Sequence, residues 1–178
     1  MGHDVIVIGG SYAGMAAALQ LLRARRKVLV IDAGQRRNRA AEKSHGFLGQ
    51  DGVDPAAIAQ TARRQLEAYP TLQWIDDVAL EAVRHESGSG FRVRSWNGGK
   101  HEAARLVFAT GVSDGVPEIP GLGERWGRHV FHCPYCHGYE LDQGQIGVIA
   151  AGPMSVHQAE LLTEWGEVTF LVNGAFEL

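Results

Sequence analysis

Apolar residues in this chain fall into short dense runs separated by glycine-rich or polar breaks. Residues 4–8 form a β-branched run that ends on the glycine turn 9–14. Residues 12–25 carry helix formers with one apolar face, and 27–31 form a second apolar run. Runs that are apolar at successive positions suit strands covered on both faces, as in a parallel sheet. The first thirty-two residues therefore predict one βαβ unit. Residues 33–53 are polar and glycine-rich and predict a loop. Asp54 as N-cap and Pro55 at the first helical position then open a helix over 56–68 that stops before Pro70. Alternating or apolar stretches follow at 72–75, 78–83, 91–95 and 104–109. They are parted by 87–90 and by the hairpin turn Asn97-Gly98-Gly99.

Residues 111–123 hold two prolines and four glycines and predict a linker. A cysteine-bearing segment comes next, followed by a second βαβ-like start: strand 146–150, a turn at Gly152, helix 155–165 and strand 168–172. No solenoid repeat is visible, but the two βαβ starts form a weak duplication. The expected fold class is α/β, a Rossmann-like three-layer domain plus the start of a second, similar domain.

Composition narrows the function classes. A chain of 178 residues buries roughly 70% of its unfolded surface and needs neither disulfides nor metal to fold. The formal net charge of −3 argues against nucleic acid as a bulk electrostatic partner. Residues 1–4 are polar without a basic n-region, and the run after them is of strand length, so no signal peptide is expected. Residues 15–22 are too short to span a bilayer. The expected compartment is the cytoplasm, with no membrane partner. The 23 glycines, about 13% of the chain, are nearly twice ordinary usage and call for a cause.

The first candidate cause is Gly9-Gly10-Ser11-Tyr12-Ala13-Gly14, which stands between strand and helix in the place of G-x-G-x-x-G. Glycine is needed there so that the backbone turns sharply and approaches a pyrophosphate, which then meets the N–H groups of the helix N-terminus. Ser11 replaces the middle glycine. Asp32, eighteen residues after Gly14, is the expected acid for an adenosine ribose hydroxyl. Arg36, Arg37 and Asn38 are candidates for adenine or phosphate contacts and equally for a solvated loop. His45, before Gly46-Phe47-Leu48-Gly49, is a candidate neighbour of a cofactor ring and equally a loop anchor.

The second is Cys133-Pro134-Tyr135-Cys136-His137, preceded by His129 and His132. Four chemistries fit these residue types. A Cys/His zinc site has the right ligands, but they are nearly contiguous rather than in two separated pairs. C-x-x-C-H matches c-type haem attachment, which belongs to exported proteins. Cys-Pro-Tyr-Cys suggests a glutaredoxin or thioredoxin site, which needs a long helix after the motif, whereas Gly144 breaks this one early. A flavin-coupled disulfide is the fourth, with His137 as general acid/base at neutral pH, and it alone also uses the N-terminal dinucleotide turn. A non-catalytic module binding metal or nucleotide through His129, His132, Cys133 and Cys136 stays open beside it.

The ordered set of GGSYAG, residues 106–111 (LVFATG), residues 116–121 (VPEIPG) and CPYCHG resembles low-molecular-weight thioredoxin reductases. It is most similar to thioredoxin-reductase-like FAD oxidoreductases that include the dithiol oxidases of holomycin and gliotoxin biosynthesis. The resemblance implies FAD on the first βαβ unit, with Gly9, Gly10, Ser11, Gly14 and Asp32 at pyrophosphate and ribose. It also implies a second FAD-contacting turn at Ala109, Thr110 and Gly111. It implies catalysis by Cys133, Cys136 and His137, with Cys136 facing the flavin and Cys133 exchanging with substrate, and no metal. An FAD-binding segment over 1–114, a linker over 115–125 and a partial nicotinamide-type domain over 126–178 follow from the same likeness, as does a homodimer for longer family members.

Two departures bear on the electron partner. His137 stands where thioredoxin reductases carry an acid, as in the dithiol-oxidase branch. The second turn, Ala150-Ala151-Gly152-Pro153-Met154-Ser155, lacks the first glycine of its motif, and Asn173 stands where an acid or an arginine would read the ribose. The expected partner is a small-molecule dithiol or a thioredoxin-like protein. Oxygen is the expected electron acceptor in the first case and NADPH the donor in the second.

Overall fold

The computed structural model describes residues 2–86 and 88–175. The chain divides into two compact units, one of residues up to Arg39 with Pro55–Asp114, the other of Ala40–Asp54 with the residues from Gly115 on.

In the first unit, strand β1 (His3–Ile8) leads into helix α1 (Tyr12–Arg23) and strand β2 (Val28–Asp32). Helix α1 ends where Arg25 turns to a φ of 60°. Helix α2 (Pro55–Glu67) starts on its proline, and β3 (Leu72–Asp76), β4 (Ala79–Arg84), β5 (Phe91–Ser95) and β6 (Lys100–Phe108) follow. All six strands join one sheet in the order β3-β2-β1-β6-β5-β4. The first four are parallel, and β4, β5 and β6 form an antiparallel meander. The nine-residue β6 serves both parts: its later half pairs with β1 and its earlier half with β5.

Alternation along the strands builds two cores, one on each face. Val5, Val7, Val28 and Val30 pack against Met15, Ala18 and Leu22 of α1 and Ala59 and Leu66 of α2. Those helix positions recur at helical spacing, which sets one apolar stripe against the sheet. Ile6, Ile8, Leu29 and Ile31 face the other way, onto Val93 and Ala103 of the meander. The fold is the α/β, Rossmann-like arrangement expected from the sequence.

In the second unit, residues 40–54 form a loop clasped by the Ser44–Val53 bridge. The segment expected as a linker carries a short helix, α3 (Leu122–Arg125). Helix α4 (Pro134–His137) holds the cysteine motif and runs into a 3-10 turn, Tyr139–Leu141. Strand β7 (Gln145–Ile149), helix α5 (Met154–Leu162) and strand β8 (Glu167–Leu171) complete the second βαβ, with β7 and β8 parallel. Ile146 and Val148 pack on Ala159 and Leu162. No helix among the described residues is long and apolar enough to cross a membrane.

Candidate functional sites

In the first unit, β1 is flanked by β2 on one side and β6 on the other, so the chain leaves β1 in one direction and returns on the opposite side. Open α/β sheets bind ligands at such a switch point, outside the carboxyl ends of the strands. Both glycine-bearing turns lie there. Gly9 has a φ of 103°, which a side chain disfavours, and Ala109 donates its N–H to the Ile8 carbonyl (2.8 Å). A Cβ on Gly9 would run into the Ala109 carbonyl, and one on Gly14 into the Gly9 carbonyl. The turn and the first turn of α1 are therefore as close to each other, and to Ala109-Thr110, as backbone allows.

The remaining residues of this crevice are linked to it by side chains. Asp32, ending β2, accepts the Gly10 N–H at 3.0 Å through Oδ1. A Cβ on Gly10 would come within 2.5 Å of the Trp74 ring. Asn38 donates to the Tyr12 hydroxyl (3.0 Å), which donates to the Pro55 carbonyl (3.3 Å). Asn38 Oδ1 and Arg36 Nε are buried without a partner. Buried polar atoms without partners are rare, and a bound polar ligand would supply them. Arg37 is instead spent on Asp114, with which it forms a two-point ion pair. The glycine cradle, Asp32 and these two orphaned atoms fit the adenine dinucleotide half of a cofactor. Tyr12, Trp74 and Asp114 were not singled out as contacts from the sequence; only Tyr12 had a signal, its place inside the glycine motif.

In the second unit, Cys133 and Cys136 are joined in a disulfide with their Cα atoms 5.4 Å apart, within the ordinary range. Both sulfurs are thereby committed to each other. Among the described residues no cluster of three or more His, Cys, Asp and Glu side chains is arranged to hold a metal ion. Gly138 lets the dithiol turn close up: a Cβ there would lie 2.5 Å from both the Pro134 carbonyl and the Trp165 ring. Trp165 also meets Tyr135 edge-on, ring centroids 5.4 Å apart.

His137 stacks on Phe131 and His132 on Trp126. Burial holds the His137 imidazole below its ordinary proton affinity; Glu140 works against that, while His45 and His132 add to it. At neutral pH the ring is therefore a free base beside the disulfide. His45 Nδ1 lies between two carboxylates, 3.5 Å from Glu140 and 3.6 Å from Asp51. A cavity of about 320 Å³ opens beside the motif, lined by Cys133, Trp126, His129, His132, Ser155 and Gln158 among others; Cys136 does not line it.

At the second glycine turn, Ser155 Oγ accepts the Ala151 N–H (3.0 Å), and Asn173 donates to the Ala150 carbonyl (3.3 Å). Both polar side chains are thus engaged with the turn's own backbone.

A glycine-turn crevice of this form and a C-x-x-C disulfide on one chain are the two halves of a known class. The chain belongs to the pyridine nucleotide-disulphide oxidoreductase family, which it matches over residues 3–176. It is thioredoxin reductase-like: a thioredoxin reductase, tcpT of Claviceps purpurea (strain 20.1), is 36% identical over 183 residues. The match takes in 96% of this chain and 56% of that protein. An oxidoreductase structure from Agrobacterium tumefaciens is 58% identical with a TM-score of 0.93, over all of this chain and 60% of that one. The structure of HlmI is 40% identical with a TM-score of 0.92, over 99% and 56%. The chain spans about half the length of the curated relatives it matches.

Proposed function

We propose that this chain carries the FAD-binding turn and the redox centre of an FAD-dependent thiol–disulfide oxidoreductase that oxidises a small-molecule dithiol. The observation that carries the reading is the Cys133–Cys136 disulfide with a neutral, half-buried imidazole adjoining it. A substrate thiol attacks Sγ of Cys133, the cysteine that lines the cavity, and gives its proton to His137. Cys136 Sγ leaves as a thiolate and is reprotonated. The second substrate thiol then displaces Cys133, so the substrate leaves as a disulfide and the protein holds a dithiol. Two electrons and two protons have moved from substrate to protein. FAD, when bound, supplies the two-electron acceptor that returns the dithiol to the disulfide, with oxygen as the final oxidant. Gly9, Gly10, Ser11 and Gly14 would hold its pyrophosphate and Asp32 its ribose, with Asn38 and Arg36 completing the pocket and Ala109-Thr110-Gly111 closing it from β6.

The reverse reading, reduction of a thioredoxin-like protein with electrons from NADPH, is favoured by the naming of relatives such as tcpT as thioredoxin reductases. Against it stand Ser155 and Asn173, which occupy the second turn with internal hydrogen bonds where a nicotinamide dinucleotide would need free N–H groups and a ribose acceptor. Anaerobic mixing of the flavin-loaded protein with each reductant separates the two. Bleaching by a dithiol but not by NADPH supports oxidation; rapid bleaching by NADPH overturns it.

A further inference from the structure

We propose that Glu140, backed by His45 and Asp51, is a positioning residue that steers proton exchange at His137, an inference that rests on the thiol–disulfide role given above. His137 and Glu140 stand three positions apart in one right-handed stretch: α4, then Gly138 at φ −66° and ψ −35°, then the 3-10 turn. Side chains three apart on such a stretch share a side. From Glu140 the path continues to His45 at 3.5 Å, and from the same His45 nitrogen to Asp51 at 3.6 Å. Asp51 is fixed by accepting the Gly46 N–H (2.9 Å), inside the loop that the Ser44–Val53 bridge clasps. Its side chain is 67% exposed. Glu140 is therefore tied, through His45, to the clasped loop.

The other groups facing His137 give it no such help. Phe131 covers one ring face, and His132, on the segment before α4, disfavours a charge there. Of the charged groups acting on His137, Glu140 favours the imidazolium, while His45 opposes it when protonated. When a substrate thiol attacks Cys133, the old S–S bond breaks, a new one forms, and the thiol proton rests on His137. Glu140 stabilises that cation. The proton then returns to the Cys136 thiolate.

The test is an NMR titration of the histidine side chains in the full 178-residue chain, with dithiothreitol as the exchange probe and thiol alkylation read by mass spectrometry. Glu140→Gln is expected to lower the His137 titration midpoint by about 0.2–0.7 pH, the range a partly exposed charge pair supplies. His45→Gln is expected to raise it by a similar amount, and dithiothreitol exchange near neutral pH slows in Glu140→Gln. Backbone spectra of both variants check that the fold is kept. Midpoints that stay put, or that move the same way in both variants, overturn the proposal. A wild-type disulfide that dithiothreitol cannot open at any pH overturns the thiol–disulfide role itself, so the two failures are told apart.

Discussion

Phe131 and His137 lie face to face, ring centroids 4.2 Å apart and planes 24° from parallel. Burial is the chief cause of the imidazole's lowered proton affinity, and the phenyl ring covers one of its faces. Phe131→Ala is therefore expected to raise the His137 titration midpoint toward its ordinary 6.5 and to carry the pH profile of dithiol exchange upward with it. His137→Gln removes the proton acceptor altogether and is expected to slow exchange about 10²-fold, the lower end for a positioned acid–base group. Exchange rates against dithiothreitol between pH 5 and 8 check both; a His137→Gln profile matching the wild type would remove His137 from the chemistry.

The two cysteines are expected to differ. Cys133 borders the cavity and Cys136 does not, so a substrate thiol reaches Cys133 first. Cys136→Ser is expected to trap a mixed disulfide between Cys133 and a small thiol, visible as an adduct mass. Cys133→Ser is expected to trap little, and equal trapping in both variants would contradict the assignment.

The dinucleotide turn makes a steric prediction. A side chain on Gly14 collides with the Gly9 carbonyl, so Gly14→Val must push α1 away from the glycine turn proposed to hold the pyrophosphate. FAD affinity, followed by flavin fluorescence, is expected to fall at least tenfold, which corresponds to about 1.4 kcal/mol. Asp32→Ala is expected to cost affinity as well, since it removes the proposed ribose acceptor and frees the Gly10 N–H. Undiminished flavin binding by Gly14→Val would place the cofactor elsewhere.

What could be read from the sequence is what local patterning encodes. The β1-α1-β2 and β7-α5-β8 units lie where apolar periodicity puts them, and Pro55 opens α2 as its fixed φ requires. The meander strands were legible as strands, but nothing local says that β6 is shared between two pairings. Residues 33–53 read as loop because they lack any period, and a loop's partners are set by tertiary packing. The pairing of His45 with Glu140, nearly a hundred residues later, has no sequence signal at all. The Cys133–Cys136 disulfide was legible because it depends on spacing within four residues. Phe131 and Trp165, which shape their surroundings, look like any other apolar positions.

Close packing at the dithiol turn is open to a stability test. Adding one methyl group at Gly138 forces it against the Pro134 carbonyl and the Trp165 ring, both 2.5 Å from the new atom. Overpacking of this kind typically costs about 1–3 kcal/mol. Gly138→Ala is therefore expected to lower the Tm and to speed reduction of the disulfide by loosening the turn. An unchanged Tm would mean that Trp165 is free to move aside.

Stability should also depend on pH, with a definite sign. Burial lowers the proton affinity of both His137 and His101 below the ordinary 6.5. His101 sits in the β5–β6 hairpin with its Nε2 buried and unpartnered. As pH falls through about 6.5 the unfolded chain takes up protons that these two rings in the folded chain do not, so the unfolded state gains. Their contribution is complete above that pH and is lost on descending toward their folded-state values. Asp76, held low chiefly by Arg63, and Asp77, held low chiefly by Ser95, act in the same direction but only below about 3.8. Thermal unfolding followed by circular dichroism is therefore expected to give a Tm that falls between pH 7.5 and 5, then falls further below pH 4. His101→Leu removes one titrating ring and should flatten the upper step while leaving the lower one. A Tm that rises on acidification from 7.5 to 5 would show that these rings gain protons on folding, the opposite of what their burial requires.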